Sequence, residues 1–271
     1  MLKVRVPEKL RALVTKFHVN EAHYKSAEFL ETQVRVEFIN PLLRLLGWDI
    51  DNEAGHAQEY KDVIHELHIG GKRHIDYAFK IGGSYKFIIE AKRPAADIAD
   101  DAYPVYQARR YAHDMKIRLV IVTDFEELAI YEGYSKYDRA PEPTDSVLYR
   151  RVFYCRYTEY AHYWSFLYSL LSKKAVMLGL HDHLLTRLEE VKKSIAESVY
   201  TVREFNLLYS IAQSFGGENY TVEQDIEIDP QDELSASVTP APRAPVIQNT
   251  PIRLSAEAKL QPVFYLAPVF I

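Results

Sequence analysis

The stretch HIDYAFKIGGSYKFIIEAKRP, residues 74–94, holds two β-rich runs around Gly-Gly-Ser. Side chains alternate along a strand, so every second residue shares a face. Asp76, Glu90 and Lys92 stand where a half-buried sheet takes Val or Ile. With Gly82–Gly83–Ser84 as a three-residue hairpin loop, Ile81 faces Tyr85 and Asp76 falls directly opposite Glu90. Side chains opposed in this way have Cβ atoms about 4.5–5.5 Å apart. Lys92 lies on the face of Glu90. A two-residue loop would slip the pairing by one and send Asp76 to the other face.

Two facing carboxylates on an apolar sheet repel each other and lose hydration. A divalent cation answers both problems, and Mg²⁺ is suited to one or two carboxylates with waters and phosphate oxygens. Beside it, Lys92 can orient a water or stabilise a negative phosphoryl transition state. An E-x-K pair taken alone is usually structural, with Arg73 or Lys92 as salt-bridge partner. The second acid on the preceding run, the apolar Phe87–Ile88–Ile89 and the helix that follows favour a site.

Outward from the hairpin, VIHELHI (63–69) reads as a strand before it, and the polar residues 51–62 as a loop. Ahead of these, residues 31, 34, 38, 42 and 45 fall on one helical face; Val34, Phe38, Leu42 and Leu45 are apolar and Glu31 is the exception. Asn40-Pro41 has the chemistry of an N-cap with a first-turn proline, so a kink or restart is expected there, with an end at Gly47. After the hairpin come a helix clearest over 104–115, a buried strand over 118–124 and a shorter one over 127–133. Residues 146–154 fit a last strand or an arm. Three helical patterns follow, then an acidic and Pro-rich segment expected to be largely disordered. The reading gives an α/β fold with a mixed central sheet flanked by helices. Residues 1–155 are the core domain, 156–215 a small helical extension and 216–271 a tail with an apolar end.

With 271 residues, 48% hydrophobic and 26% charged, the chain has the profile of a globular protein. Its single cysteine, Cys155, excludes an intramolecular disulfide and fits a reducing cytoplasm. No run approaches the roughly 20 apolar residues of a membrane span, and the basic start is not a secretory signal. A cytoplasmic location is expected. A formal net charge of -5 excludes a generally basic nucleic-acid binder, so DNA contact would need a local patch. Many of the 20 tyrosines lie between Tyr131 and Tyr168 and are expected at a domain edge. There is no Walker A motif, no G-x-G-x-x-G after a strand and no methyltransferase tetrad. His65-x-x-His68 and His181-x-His183 are weak zinc spacings.

Asp76 followed by Glu90-Ala91-Lys92 resembles the PD-(D/E)XK nuclease motif, with Ile75 in the place of its proline. ETQVRVEFINPLLRLLGWDI, DYAFKIGG, FIIEAKRP, QARRYAHD, VTDFEELAIY and YWSFLYSLLSKKAV resemble, in this order, segments of a narrower group. That group is the N-terminal nuclease domain of type I restriction enzyme R subunits and of type IIG fused restriction–modification enzymes. The resemblance spans residues 25 to 180 and implies a restriction-endonuclease-like fold that cuts double-stranded DNA with Mg²⁺, Mn²⁺ substituting. It implies Asp76, Glu90 and Glu31 as metal ligands and Lys92 as the catalytic lysine. It also implies catalytic roles for Gln107 and Tyr111, which share a helix face, and a methyltransferase or specificity subunit encoded elsewhere. Glu31 reads equally as an acid favourable to a helix start. Arg93, Arg109 and Arg110, with Lys116 and Arg118, are candidates for the DNA-binding patch. Glu66 on the preceding strand is expected to face water. An inactive nuclease-fold module for DNA binding or assembly is the alternative reading.

Overall fold

A computed structural model describes residues 1–70, 74–136, 139–196 and 206–214. The hairpin lies inside one sheet of six strands in sequence order: β1 (Val63–His68), β2 (His74–Ile81), β3 (Ser84–Ala91), β4 (Leu119–Thr123), β5 (Glu127–Glu132) and β6 (Arg151–Arg156). Among the described strands only β3 and β4 run parallel. A parallel pair needs a crossover, and helix α5 (Ala102–Met115) supplies it. The sheet is mixed and flanked by helices, as expected. The segment that fitted either a strand or an arm is β6, paired antiparallel to β5.

Period-two alternation sorts the strands between two cores. Phe87, Ile89, Leu119, Ile121, Leu128 and Ile130 face one layer; Ile88, Val120, Val122, Ala129 and Tyr131 face the other. The first layer is built from α1 (Glu8–Val19), α2 (Glu21–Tyr24), α3 (Glu31–Val34), α4 (Asn40–Leu45) and the later helices α6 (Tyr160–Leu171), α7 (Lys173–Met177), α8 (Leu180–Ala196) and α9 (Leu207–Ser214). Leu10, Phe38, Trp164, Leu188 and Ile211 share this core. The second layer rests on Val105, Ala108, Tyr111 and Ala112 of α5. Each fully buried aromatic or aliphatic side chain stabilises the fold by roughly 1.5–3 kcal/mol, a reservoir large enough to tolerate buried carboxylates at one end of the sheet.

One local expectation is corrected. Asn40 does not cap a helix: its φ and ψ of -59° and -47° are helical. Instead α3 runs through a π-helical turn, Arg35–Ile39, into α4, with the Asn40 N–H donating to the Arg35 carbonyl. Pro41 has no N–H to give the helix, and the wider turn absorbs it. The helix ends as expected, with Gly47 at φ 82° and the Trp48 N–H reaching the Leu43 carbonyl at 3.3 Å. The tyrosine-rich segment includes β6, the outer strand of the sheet, with Tyr154 half-buried, while Tyr131, Tyr157 and Tyr160 are buried.

No helix among the described residues is long and apolar enough to cross a membrane. The acidic and Pro-rich tail lies outside the described residues, as does Arg73.

Candidate active site

The hairpin loop has two residues, not three. Ile81 pairs with Ser84 and Lys80 with Tyr85, and Gly82 and Gly83 both have positive φ (56° and 81°). Glycine is the residue that adopts two such angles in succession without strain. The one-residue slip is undone by a bulge: Phe79 pairs with Phe87, so Lys86 is the extra residue and the pairing shifts by one. Ala78↔Ile88 and Tyr77↔Ile89 follow, and this register continued by one residue sets Asp76 against Glu90, whose carboxyl it raises. The expected apposition is present, produced by a turn plus a bulge.

On the other side of β2, His65↔Tyr77 and Leu67↔Ile75 put Glu66 across from Asp76. Glu66 has φ 47°, in the left-handed region. The alternation of β2 breaks at the same level, because Ile75 joins the second layer while Tyr77 joins the first. Glu66, Asp76 and Glu90 therefore form a row across three strands. Glu66 is exposed, as expected, and pairs with Arg35 and with His74, Nε2 to Oε2 3.1 Å.

Asp76 and Glu90 are buried, 5% and 8% exposed. Asp76 Oδ2 accepts the Ala91 N–H at 2.7 Å, and Oδ1 lies 3.5 Å from Arg35 Nη1. Lys92 Nζ donates to Glu90 Oε1 at 2.6 Å. Burial pushes the Glu90 carboxyl up to about 7, and Asp76 adds to the shift against the pull of Lys92. Burial raises Asp76 too, although the Ala91 N–H, Arg35 and Lys92 oppose it. For Lys92, burial works downward, but Glu90, then Glu31 and Asp76, outweigh it and leave the amine raised. Glu31 opens α3 on the buried stripe of Val34 and Phe38, half-buried and raised by burial and next by Asp76. Glu31, Asp76, Glu90 and Lys92 thus lie within one another's electrostatic reach. Among the described residues, however, the tightest group of ligand atoms is Glu66, His74 and Asp76, each within 4.8 Å of the others.

Buried acids that hold their protons more tightly than in water are the chemistry a hard cation relieves. Asp76, Glu90 and Glu31 offer carboxylate oxygens, the type of ligand that Mg²⁺ takes.

The remaining candidates scatter. Gln107 is half-buried and donates to the Tyr103 hydroxyl at 3.1 Å. Tyr111 is buried in the second layer. Arg93 is exposed directly after Lys92, and Arg110 is exposed beside Asp114 at 3.7 Å. Arg109 is corrected: it is 3% exposed, donates Nε to the Glu132 carbonyl at 3.1 Å and lies 3.6 Å from Asp145. A guanidinium enclosed in this way is not available to a phosphate. Lys116 and Arg118 precede β4, whereas Glu90 and Lys92 lie at the Thr123 end of that strand. They do not join Arg93 in a patch. The residues passed over in the sequence are Arg35 and His74. The pairing of Glu66 with Asp76 across β1 and β2 is the signal that leads to both.

By fold and site, the chain is a mixed α/β protein whose sheet ends in a buried carboxylate–lysine group. Over 187 residues, 67% of its length, it is 30% identical to the type II restriction enzyme and methyltransferase RM.Eco57I of Escherichia coli. It spans 18% of that protein's length. The likeness relates the chain to restriction enzymes. No protein-family model matches it, and no solved structure does.

Proposed function

We propose that this chain is a Mg²⁺-dependent DNA endonuclease domain of the PD-(D/E)XK type, with a restriction-endonuclease-like fold, serving restriction or defence against phage. The observation that carries the reading is Lys92 Nζ at 2.6 Å from Glu90 Oε1, on a strand whose neighbour Asp76 is buried beside it. Relatedness to an enzyme described as a restriction enzyme and methyltransferase supports DNA as the substrate and a methyltransferase as partner. The subtype this implies is a type I or type IIG nuclease domain.

Asp76, Glu90 and Glu31 would hold Mg²⁺, or Mn²⁺ in its place. The ion, when bound, polarises a phosphoryl oxygen and makes a water acidic enough to attack near neutral pH. Lys92, fixed by Glu90, holds its ammonium where charge develops on the phosphoryl oxygens and orients the attacking water. Arg93, exposed two residues beyond the end of β3, meets the DNA backbone.

Plasmid DNA incubated with the full chain and Mg²⁺ or Mn²⁺ tests this. Nicking or cutting is expected, falling about 100-fold or more in Lys92→Ala. Equal cleavage by both proteins removes Lys92 from the mechanism. Cleavage by neither, with unchanged DNA affinity, favours the non-catalytic binding module.

A further inference from the structure

The Glu66–His74–Asp76 group has the makings of a second cation site, with an imidazole that suits Mn²⁺ or Zn²⁺. A cation is already there. Arg35 Nη1 pairs with Glu66 Oε1 and lies 3.5 Å from Asp76 Oδ1. The guanidinium stacks 4.8 Å from the Tyr77 ring centre and donates Nε to the Tyr77 hydroxyl at 3.2 Å. That hydroxyl donates in turn to Asn40 Oδ1 at 2.7 Å.

The π-turn makes the arrangement possible. In an α-helix the five steps from Arg35 to Asn40 would advance about 500°, leaving the two residues roughly 140° apart around the axis. The bond from the Asn40 N–H to the Arg35 carbonyl brings the two residues onto a common side, and both reach one tyrosine hydroxyl. A π-turn inside a helix is often found at functional sites. Here its effect is to fix a guanidinium against two carboxylates.

We propose that Arg35 is a resident cation. It fills the Glu66–His74–Asp76 group, holds Asp76 in place for the neighbouring metal position, and so limits the chain to a single divalent ion. This rests on the metal-dependent reading above. Arg35 acts through Asp76 and is a positioning residue.

The test is the number of Mn²⁺ ions bound per full-length chain, measured by calorimetry and by electron paramagnetic resonance of free Mn²⁺. Wild type is expected to bind one. Arg35→Met, which keeps the bulk and removes the charge, gains a second. The gain disappears in Arg35→Met/His74→Ala and is absent in Arg35→Lys, which keeps a positive charge. Two ions in wild type, or no gain in Arg35→Met, overturns the proposal. If Arg35→Met does not fold, Glu66→Gln and His74→Ala are read in the Arg35 background. An unchanged Mn²⁺ count in both supports the resident cation, and loss of the ion in either overturns it. A wild type that binds no Mn²⁺ sinks the metal-dependent reading instead. The role of Arg35 then stands or falls on whether Arg35→Met alone gains a His74-dependent ion.

Discussion

Asp76 is tied to Ala91, the residue between Glu90 and Lys92, by a 2.7 Å hydrogen bond from the Ala91 N–H to its Oδ2. The acid on β2 is therefore fixed to the backbone that carries the other acid and the lysine. β3 also pairs with β4 through Ala91↔Thr123, and the Lys92 N–H continues to the Thr123 carbonyl at 2.9 Å. Three strands hold the group, and strands position side chains more rigidly than loops do.

Replacing Glu90 by Gln keeps the volume and an acceptor for Lys92 but removes a charge. At about 100 times its Kd, a bound ion stabilises a protein by about 2.7 kcal/mol, or about 5–10 °C in Tm at this size. Wild type is expected to show such a rise with Mg²⁺, and Glu90→Gln to lose most of it. A thermal scan with and without Mg²⁺ decides. A full rise in the variant excludes Glu90 as a ligand.

Arg93 and Arg109, both basic-patch candidates in the sequence, should separate cleanly. Arg93→Ala is expected to weaken binding to duplex DNA whatever its sequence and to reduce the salt slope by about 0.9, the value for one phosphate contact. Its Tm should not move. Arg109→Ala breaks a buried pair with Asp145 and frees the Glu132 carbonyl. Asp145 keeps Arg139 as its partner, so the loss should be about 1–3 kcal/mol, that of a buried carbonyl left without its donor. DNA titration and denaturant unfolding of both variants check this; a stable Arg109→Ala with impaired DNA binding would reverse the assignment.

The strands of the hairpin and the face of Glu90 were legible because period-two alternation is a local property of the chain. The register was not. Gly-Gly-Ser allows loops of two or three residues, and the bulge at Lys86 that compensates the shorter one leaves no mark in the composition. Arg109 shows the same limit: between Gln107 and Tyr111 it reads as a surface base. Its burial depends on Asp145 and Tyr149, far along the chain, the latter with its ring 5.0 Å from the guanidinium. Arg35 was hidden because its partners come from β1 and β2 and from a π-turn that no helical pattern announces.

Gly133 follows β5 without a positive φ, so its role is space. A Cβ there would sit 2.3 Å from the Ile117 carbonyl oxygen and 2.8 Å from the Ala112 Cβ. The Gly133 N–H also donates to the Arg118 carbonyl at 2.9 Å, which leaves little room to retreat. Gly133→Ala is expected to destabilise the fold by about 1–3 kcal/mol through overpacking. Urea unfolding measures it, and a change under about 0.5 kcal/mol would show that α5 can shift.

His181 sets an acid limit away from the candidate site. Its ring is buried, donates Nδ1–H to the Leu170 carbonyl at 2.8 Å and lies 5.8 Å from the Phe87 ring. Burial pushes its pKa below the usual 6.5; the Leu170 carbonyl and Asp182 pull upward, while Lys86 and Arg118 add to the fall. The unfolded chain therefore binds more protons than the folded one below pH 6.5, and stability falls as pH drops from there toward the folded value. Above pH 6.5 this contribution is fully present. His181→Phe keeps a ring beside Phe87 and cannot charge. It should lower stability at pH 8 by about 1–3 kcal/mol, since the Leu170 carbonyl loses its donor, yet flatten the decline between pH 6.5 and 5. Tm measured across that range checks it, and an identical acid slope in wild type and variant would remove His181 as the cause.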